Sequence, residues 1–369
     1  MSRVFFADAR CDVLSENLLL KTEMLFNASG IRKIIYKGDS VAVKIHPGES
    51  GTTAYLRPCF VGKVVDLVKG LGGAPFVIET TGLGGQRIIV ESYLRAAARN
   101  GFTEETIGCK IVITDGQEEE GIKIQIEGAE LREVEIPKAI ADADALIVLS
   151  HGRGHASCGF GGAIKNLGMG CVSKRAKLAI HELTKPDYDQ SLCSGCGWCE
   201  RVCRWNAIAV RKGKAEFVGD RCVGCSACSQ FVACKPGALR LPRERRERLQ
   251  TRIADAAAAV IKSLAGEKVG FINFLLDITK RCDCSSITDT PIVQDIGVLA
   301  SLDPVSIDRA SIDLINGSVG LLQSAAEEFG VCNPNTDKFA RIFDVDPAVQ
   351  LRNLENLGFG TTKYELVKL

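Results

Sequence analysis

The sequence predicts an α/β fold, a mostly parallel sheet flanked by helices, interrupted by a smaller cysteine-rich α+β module. Three observations predict it. From Val41 to His151 short β-branched runs alternate with helical stretches, the pattern of parallel strands joined by crossover helices. The alternation resumes at Lys268. Between these stretches, half of the 16 cysteines crowd into the segment from Cys193 to Cys234.

The elements follow in order. Candidate strands are Val41–Ile45, Pro75–Glu79, Lys110–Thr114 and Ala145–Ser150, with Ile122–Ile126 and Arg132–Ile136 pairing as an antiparallel excursion. Helices are expected from Pro58, a residue tolerated in a first turn, to Gly70 and from Gln86 to Asn100. A glycine-rich run from His151 to Cys171 is unlike ordinary core. Glu244–Leu264 is alanine-rich with charges at helical spacing, and Arg243, Arg245, Arg246 and Arg248 are expected on its solvated face. Lys268–Leu276 and Ile292–Ala300 read as strands, Pro304 opens a helix ending near Asn316, and Asp337–Leu369 reads as short outer helices. Residues 1–184 and 243–369 are thus two parts of one host domain, with 185–242 inserted.

Composition limits the function classes. Lysine plus arginine number 46 against 45 acidic residues, so no strong overall field attracts nucleic acid or an anionic membrane. The N-terminus lacks a basic region followed by an apolar run, and no apolar stretch reaches the roughly eighteen residues of a spanning helix. A soluble, cytoplasmic protein is expected. In that reducing setting clustered thiols point to metal rather than disulfides. The isolated Cys11, Cys59, Cys109 and Cys332 are expected to be small buried apolar residues.

The crowded segment carries the most specific signal. Its first half has Cys193, Cys196, Cys199 and Cys203; its second has Cys222, Cys225, Cys228 and then Cys234, followed by Lys235 and Pro236. Three thiolates at three-residue intervals wrap one cube of a [4Fe-4S] cluster, and in two-cluster ferredoxins the fourth ligand crosses to the other cube. The expected ligand sets are therefore Cys193, Cys196, Cys199 and Cys234 for one cluster, and Cys222, Cys225, Cys228 and Cys203 for the other. Paired zinc knuckles are the bland reading, but zinc ribbons use two cysteines per element, and here a third recurs in both halves. Arg204 stands where a proline is usual, and five residues separate Cys228 from Cys234 where three are usual. Trp198 and Trp205 are expected to shield the cubes.

Outside the module, Cys282-Asp283-Cys284 follows a strand, and thiols at i and i+2 face the same side of an extended chain. A third metal or cluster site, or a redox-active thiol pair, is expected there, set against buried structural cysteines. Candidates to complete it are His46, His151, His155, Cys158 and Cys171, which gather at the ends of α/β strands where such sheets place their ligands. Lys165 and Asn166 are candidates to hold an anionic substrate group, against a helix start that merely packs closely. Thr80–Gly85 follows a strand and precedes a helix like a phosphate-cradling turn, yet its spacing matches neither the dinucleotide fingerprint nor the P-loop.

Taken together, Val43–Glu49, Gly159–Gly170, Gly270–Phe274, Cys282-Asp-Cys284 and Asp295–Pro304 resemble the uncharacterised iron-sulfur centre proteins of domain of unknown function 362. The resemblance spans essentially the whole chain and implies a cytoplasmic protein of anaerobes with an inserted ferredoxin module. Family members commonly carry phenylalanine where Pro47 stands and a different residue at Cys158. The functional expectation is a redox protein. Its two clusters relay electrons between a redox partner protein and the Cys282/Cys284 site, which acts on a small molecule, with Cys282, Cys284 and Lys165 as candidate catalytic residues. A docking electron carrier and a redox sensor are the alternatives.

Overall fold

The computed structural model describes all residues except 115–120, 232, 233 and 235, so Lys235 lies outside the described residues. Eight strands form one sheet: β1 (Ser2–Asp8), β2 (Ser40–Lys44), β3 (Ala74–Thr80), β4 (Ile111–Thr114), β5 (Ala145–His151), β6 (Val269–Leu275), β7 (Gly297–Ser301) and β8 (Tyr364–Lys368). Their order is β8-β1-β7-β6-β5-β2-β3-β4. Only β7 runs antiparallel to its neighbours, β1 and β6; every other pairing is parallel.

Helices cover both faces, which is why the central strands are buried throughout rather than alternating with polar residues. On one face, α1 (Leu18–Ala28) and α2 (Pro58–Gly70) pack against Val41, Val43, Ala145, Ile147 and Ile272. On the other, α4 (Ala163–Gly170), α6 (Arg243–Ser263) and α7 (Pro304–Gly317) meet Ala42, Leu146, Val148 and Phe271. Neighbouring residues of one strand thus serve two cores, as the period of two requires. Two further helices, α3 (Val90–Arg99) and α5 (Lys174–His181), follow β3 and α4.

Several expectations need correction. Ile292–Ala300 is not one strand: only Gly297–Ser301 joins the sheet, while Val293 makes an isolated bridge to Gly320, because Asp295 first accepts the Asp277 amide at 2.7 Å and Ile292 donates to Ile278 at 2.8 Å. The tail holds short helices at Lys338–Phe343 and Val349–Asn356 but ends in β8, which pairs with β1 at the opposite end of the chain. Cys11 and Cys59 are exposed, and Cys109 and Cys332 half-buried, so none is the core residue expected. Cys11 lies in the loop after β1, where its thiol donates to the Val13 carbonyl. The arginines opening α6 anchor neighbours instead of facing solvent alone: Arg245 bonds the Lys185 carbonyl, Arg246 the Phe343 carbonyl, and Arg248 Glu130.

The glycine-rich run is explained in part by close packing. A β-carbon on Gly168 would lie 2.1 Å from the Ile253 carbonyl, so α4 and α6 touch backbone to backbone there. Asp308 of α7 closes the N-terminus of α4, accepting from the amides of Ala163 (2.7 Å) and Ile164 (2.9 Å) and from Asn273 (2.8 Å). Burial outweighs these donors and pushes its carboxyl up to about 6. The folded state therefore holds this proton more tightly than the unfolded chain. Stability from Asp308 is fully present below pH 3.8 and lost as pH rises through about 6. Urea unfolding of the Asp308→Asn variant should lack that slope, and Asp308→Ala should lose about 2–3 kcal/mol by orphaning buried donors.

Candidate functional site

The cysteine-rich segment folds around two small cavities. Cys193, Cys196, Cys199 and Cys234 line one, which Cys228 also borders; Cys203, Cys222, Cys225 and Cys228 line the other. Cys203 thus turns from its own run toward the second run, and Cys234 does the reverse. Amides of Ala215 and Ala207 donate to the sulfurs of Cys193 (3.4 Å) and Cys203 (3.3 Å), and the Tyr188 hydroxyl is buried beside Cys193. At least four sulfur donors around each cavity, with amides directed at sulfur, form a donor set that fits an iron-sulfur cluster. Gly224 adopts φ +71° in the second run and presses on the end of α5, a position closed to a side chain because the His181 carbonyl would lie 2.1 Å from its β-carbon. Trp205, half-buried at the second cavity, donates to the Leu83 carbonyl at 2.9 Å, so the Thr80–Gly85 turn receives the cysteine-rich segment. Trp198, 51% exposed, borders the first cavity and shields it only in part.

Cys282 and Cys284 are joined as a disulfide, with Asp283 turned the other way into the protein. The Asp283 carboxylate accepts from Arg153 (2.8 Å) and from His151 Nδ1 (3.0 Å), and its carbonyl accepts the Glu49 amide (2.8 Å). Arg153 and His151 hold that carboxyl well below the usual range despite its burial. Arg87 fixes the other side through the Cys284 carbonyl at 3.2 Å. His155 joins the two cysteines, one candidate ligand atom from each residue lying within 4.8 Å of the others.

The remaining candidates fall elsewhere. His151 places its second ring nitrogen 2.6 Å from the Leu276 carbonyl, so both nitrogens face acceptors and neither is left for a metal. His46 accepts from the Gly48 amide and neighbours Arg87; burial, reinforced by that charge, pushes its pKa well below the ordinary histidine range. Cys158 and Cys171 are core residues whose thiols burial pushes up to about 12. Asn166 accepts from Lys44 (2.6 Å) and donates to Leu149 (2.9 Å), which leaves it structural.

A cavity of about 420 Å³ opens where the strand order reverses between β2 and β5, at the carboxyl ends of the parallel strands. His155, Lys165 and Cys284 line it beside the large sheet, and Cys225 to Ala227 from the cysteine-rich segment. Lys44, fully buried at the end of β2, pairs with Glu79 of β3 at 3.1 Å. Lys177 of α5 is enclosed by the carbonyls of Thr80 and Thr81, and burial pushes its pKa down to about 7. A second cavity of about 490 Å³ is shared by Cys282 and Cys234.

These eight cysteines and the match to one protein family decide the family. The chain belongs to domain of unknown function 362, whose match spans residues 41–313. It is an iron-sulfur protein, and it carries a ferredoxin-like segment. Ferredoxin-1 of Rhodobacter capsulatus is 41% identical over 46 residues, 12% of this chain and 71% of that protein. Among solved structures, the lactate racemase apoprotein from Thermoanaerobacterium thermosaccharolyticum has a TM-score of 0.35 at 13% identity over 75% of this chain. A protein from Thermotoga maritima has 0.34 at 11% over 70%. This family member spans about half, 51%, of each of those chains. Among its described residues no helix is long and apolar enough to cross a membrane.

Sequence reasoning missed Glu79, Arg87, Arg153 and Lys177. A signal was available for one of them: Glu79, like Lys44, is a charge inside an otherwise mostly apolar strand. Asp283→Asn would leave Arg153 buried beside a neutral partner. Chemical denaturation is expected to show a loss of about 3–5 kcal/mol, the usual effect of removing one member of a buried ion pair.

Proposed function

We propose that the chain is an iron-sulfur oxidoreductase in which electrons pass between an external redox protein and the Cys282–Cys284 centre, which acts on a small molecule in the neighbouring cavity. Cys193, Cys196, Cys199 and Cys234 would hold one [4Fe-4S] cluster, and Cys203, Cys222, Cys225 and Cys228 a second. When bound, such clusters supply electrons singly.

The observation that carries this reading is the sharing of cavity walls. Cys284 and Cys225 border one cavity, and Cys282 and Cys234 border the other. The disulfide therefore lies between spaces that each adjoin a proposed cluster set. Closing a ring across one intervening residue removes little entropy from the unfolded chain, so this pair is a poor staple. It suits redox chemistry better. On reduction the S–S bond breaks, and each sulfur takes up one electron from the reduced external carrier and one proton from water in the cavity. Two one-electron centres match that two-electron demand. Exposed Trp198 and Cys196 mark the side available to the carrier.

A second reading is favoured by the position of His155. Reduced to thiolates, Cys282 and Cys284 would form with this imidazole a three-ligand set for a metal. Burial holds His155 neutral, the form that binds metal.

Protein purified without oxygen should contain about eight iron and eight sulfide per chain, from the stoichiometry of two cubes. Anaerobic reduction followed by alkylation and mass spectrometry should label Cys282 and Cys284 together, and neither before reduction. Cys282→Ala should keep the iron and lose turnover. Metal beyond eight that disappears in this variant selects the second reading, and an iron content near zero removes the cluster assignment.

A further inference from the structure

Among the described residues, Lys165 is a cation that lies half-buried in the wall of the cavity bordering Cys284 and is left unanswered by the protein. Lys44 is paired with Glu79, and Arg87 with Glu49 at 3.1 Å. Lys177 is enclosed by threonine oxygens. Lys165 is different. It lies half-buried in the wall, and among the described residues it has neither a hydrogen-bond acceptor nor an ion-pair partner.

Its place in the fold gives no structural reason for the charge. Lys165 is the third residue of α4, close to the positive end of that helix dipole. The acid that could have offset it, Asp308, is engaged with the Ala163 and Ile164 amides and with Asn273. Burial disfavours the ammonium further, and its pKa is lowered. A cation kept in such surroundings, facing a cavity of small-molecule size, calls for an anion from outside. Glu49 and Glu79, the acids of the lining, already have partners, and Arg201 and Arg204 add positive charge at the exposed margin.

We propose that Lys165 anchors the oxyanion of a small carboxylate- or phosphate-bearing substrate, whose remainder occupies the cavity toward His155 and Cys284. The substrate's direction toward Cys284 rests on the redox reading above; the anion site itself does not.

The test uses full-length protein purified without oxygen and titrated calorimetrically with inorganic phosphate and, separately, malonate. At least one should bind saturably at one site, phosphate alone indicating a phosphate substrate and malonate alone a carboxylate. Lys165→Met should weaken that binding at least about tenfold, while Lys165→Arg retains most of it. Without anion, Lys165→Met should melt at or above the parent temperature, since no protein partner is lost. Binding of neither anion, equal binding by Lys165→Met, or a lowered melting temperature of that variant without anion would overturn the proposal. Iron and sulfide counts are independent of these results. Loss of the cluster assignment and loss of the anion site are therefore separable.

Discussion

The ion pair between Asp283 and Arg153 constrains the candidate site more than any other contact. Arg153 is 1% exposed and also donates to the Ala54 carbonyl at 2.9 Å, so its guanidinium has no route to water. A buried pair of this sort adds little net stability over an apolar substitute, because desolvation offsets the attraction. Its effect is orientational. With Asp283 held inward, the turn closed by the Ser285 amide on the Cys282 carbonyl at 3.0 Å leaves Cys282 and Cys284 joined to each other and beside His155. His151 and the Glu49 amide complete the grip on Asp283.

The rest of the site follows from sheet topology. Strands β2, β3 and β5 deliver Lys44, Glu79 and His151 to one end of the sheet, and the reversal of strand order there leaves a crevice between them. The cysteine-rich segment follows α5 and precedes α6, two helices packed beside that crevice. Thr184 bonds the Gly224 carbonyl across the junction, and Trp205 bonds Leu83 at the crevice rim. Cys225 is consequently part of the cavity wall rather than of a remote appendage.

Much of this was legible in the residues. The central strands betray themselves by short, mostly apolar runs that include β-branched residues, and the three-residue cysteine spacing is too regular for packing. The pairing of β1 with β8 was not legible, because it joins the two ends of the chain through residues of ordinary strand character. Nor was the network of Glu79, Arg87 and Arg153, whose members are distant in sequence and acquire partners only in the fold. The Asn166 amide illustrates the same limit: beside Lys165 it looked like a substrate contact, yet it turns inward to Lys44. Adjacent helical residues point about 100° apart, so neighbours in a motif need not share a task.

The 16 cysteines show how environment rather than residue type determines chemistry. Cys158 and Cys171 are buried among apolar side chains, and thiols pushed up to about 12 stay protonated and unreactive at neutral pH. Cys11 and Cys59 lie at the surface as free thiols. Cys282 and Cys284 have each other, a neutral imidazole, and cavities on both sides. The eight of the inserted segment have one another and backbone amides directed at sulfur. Redox chemistry requires both a partner for the sulfur and a path to it, and only these last two groups combine them among the described residues. The fold therefore gathers these ten of the 16 cysteines into a single connected region, formed where the cysteine-rich segment meets the switch point of the sheet.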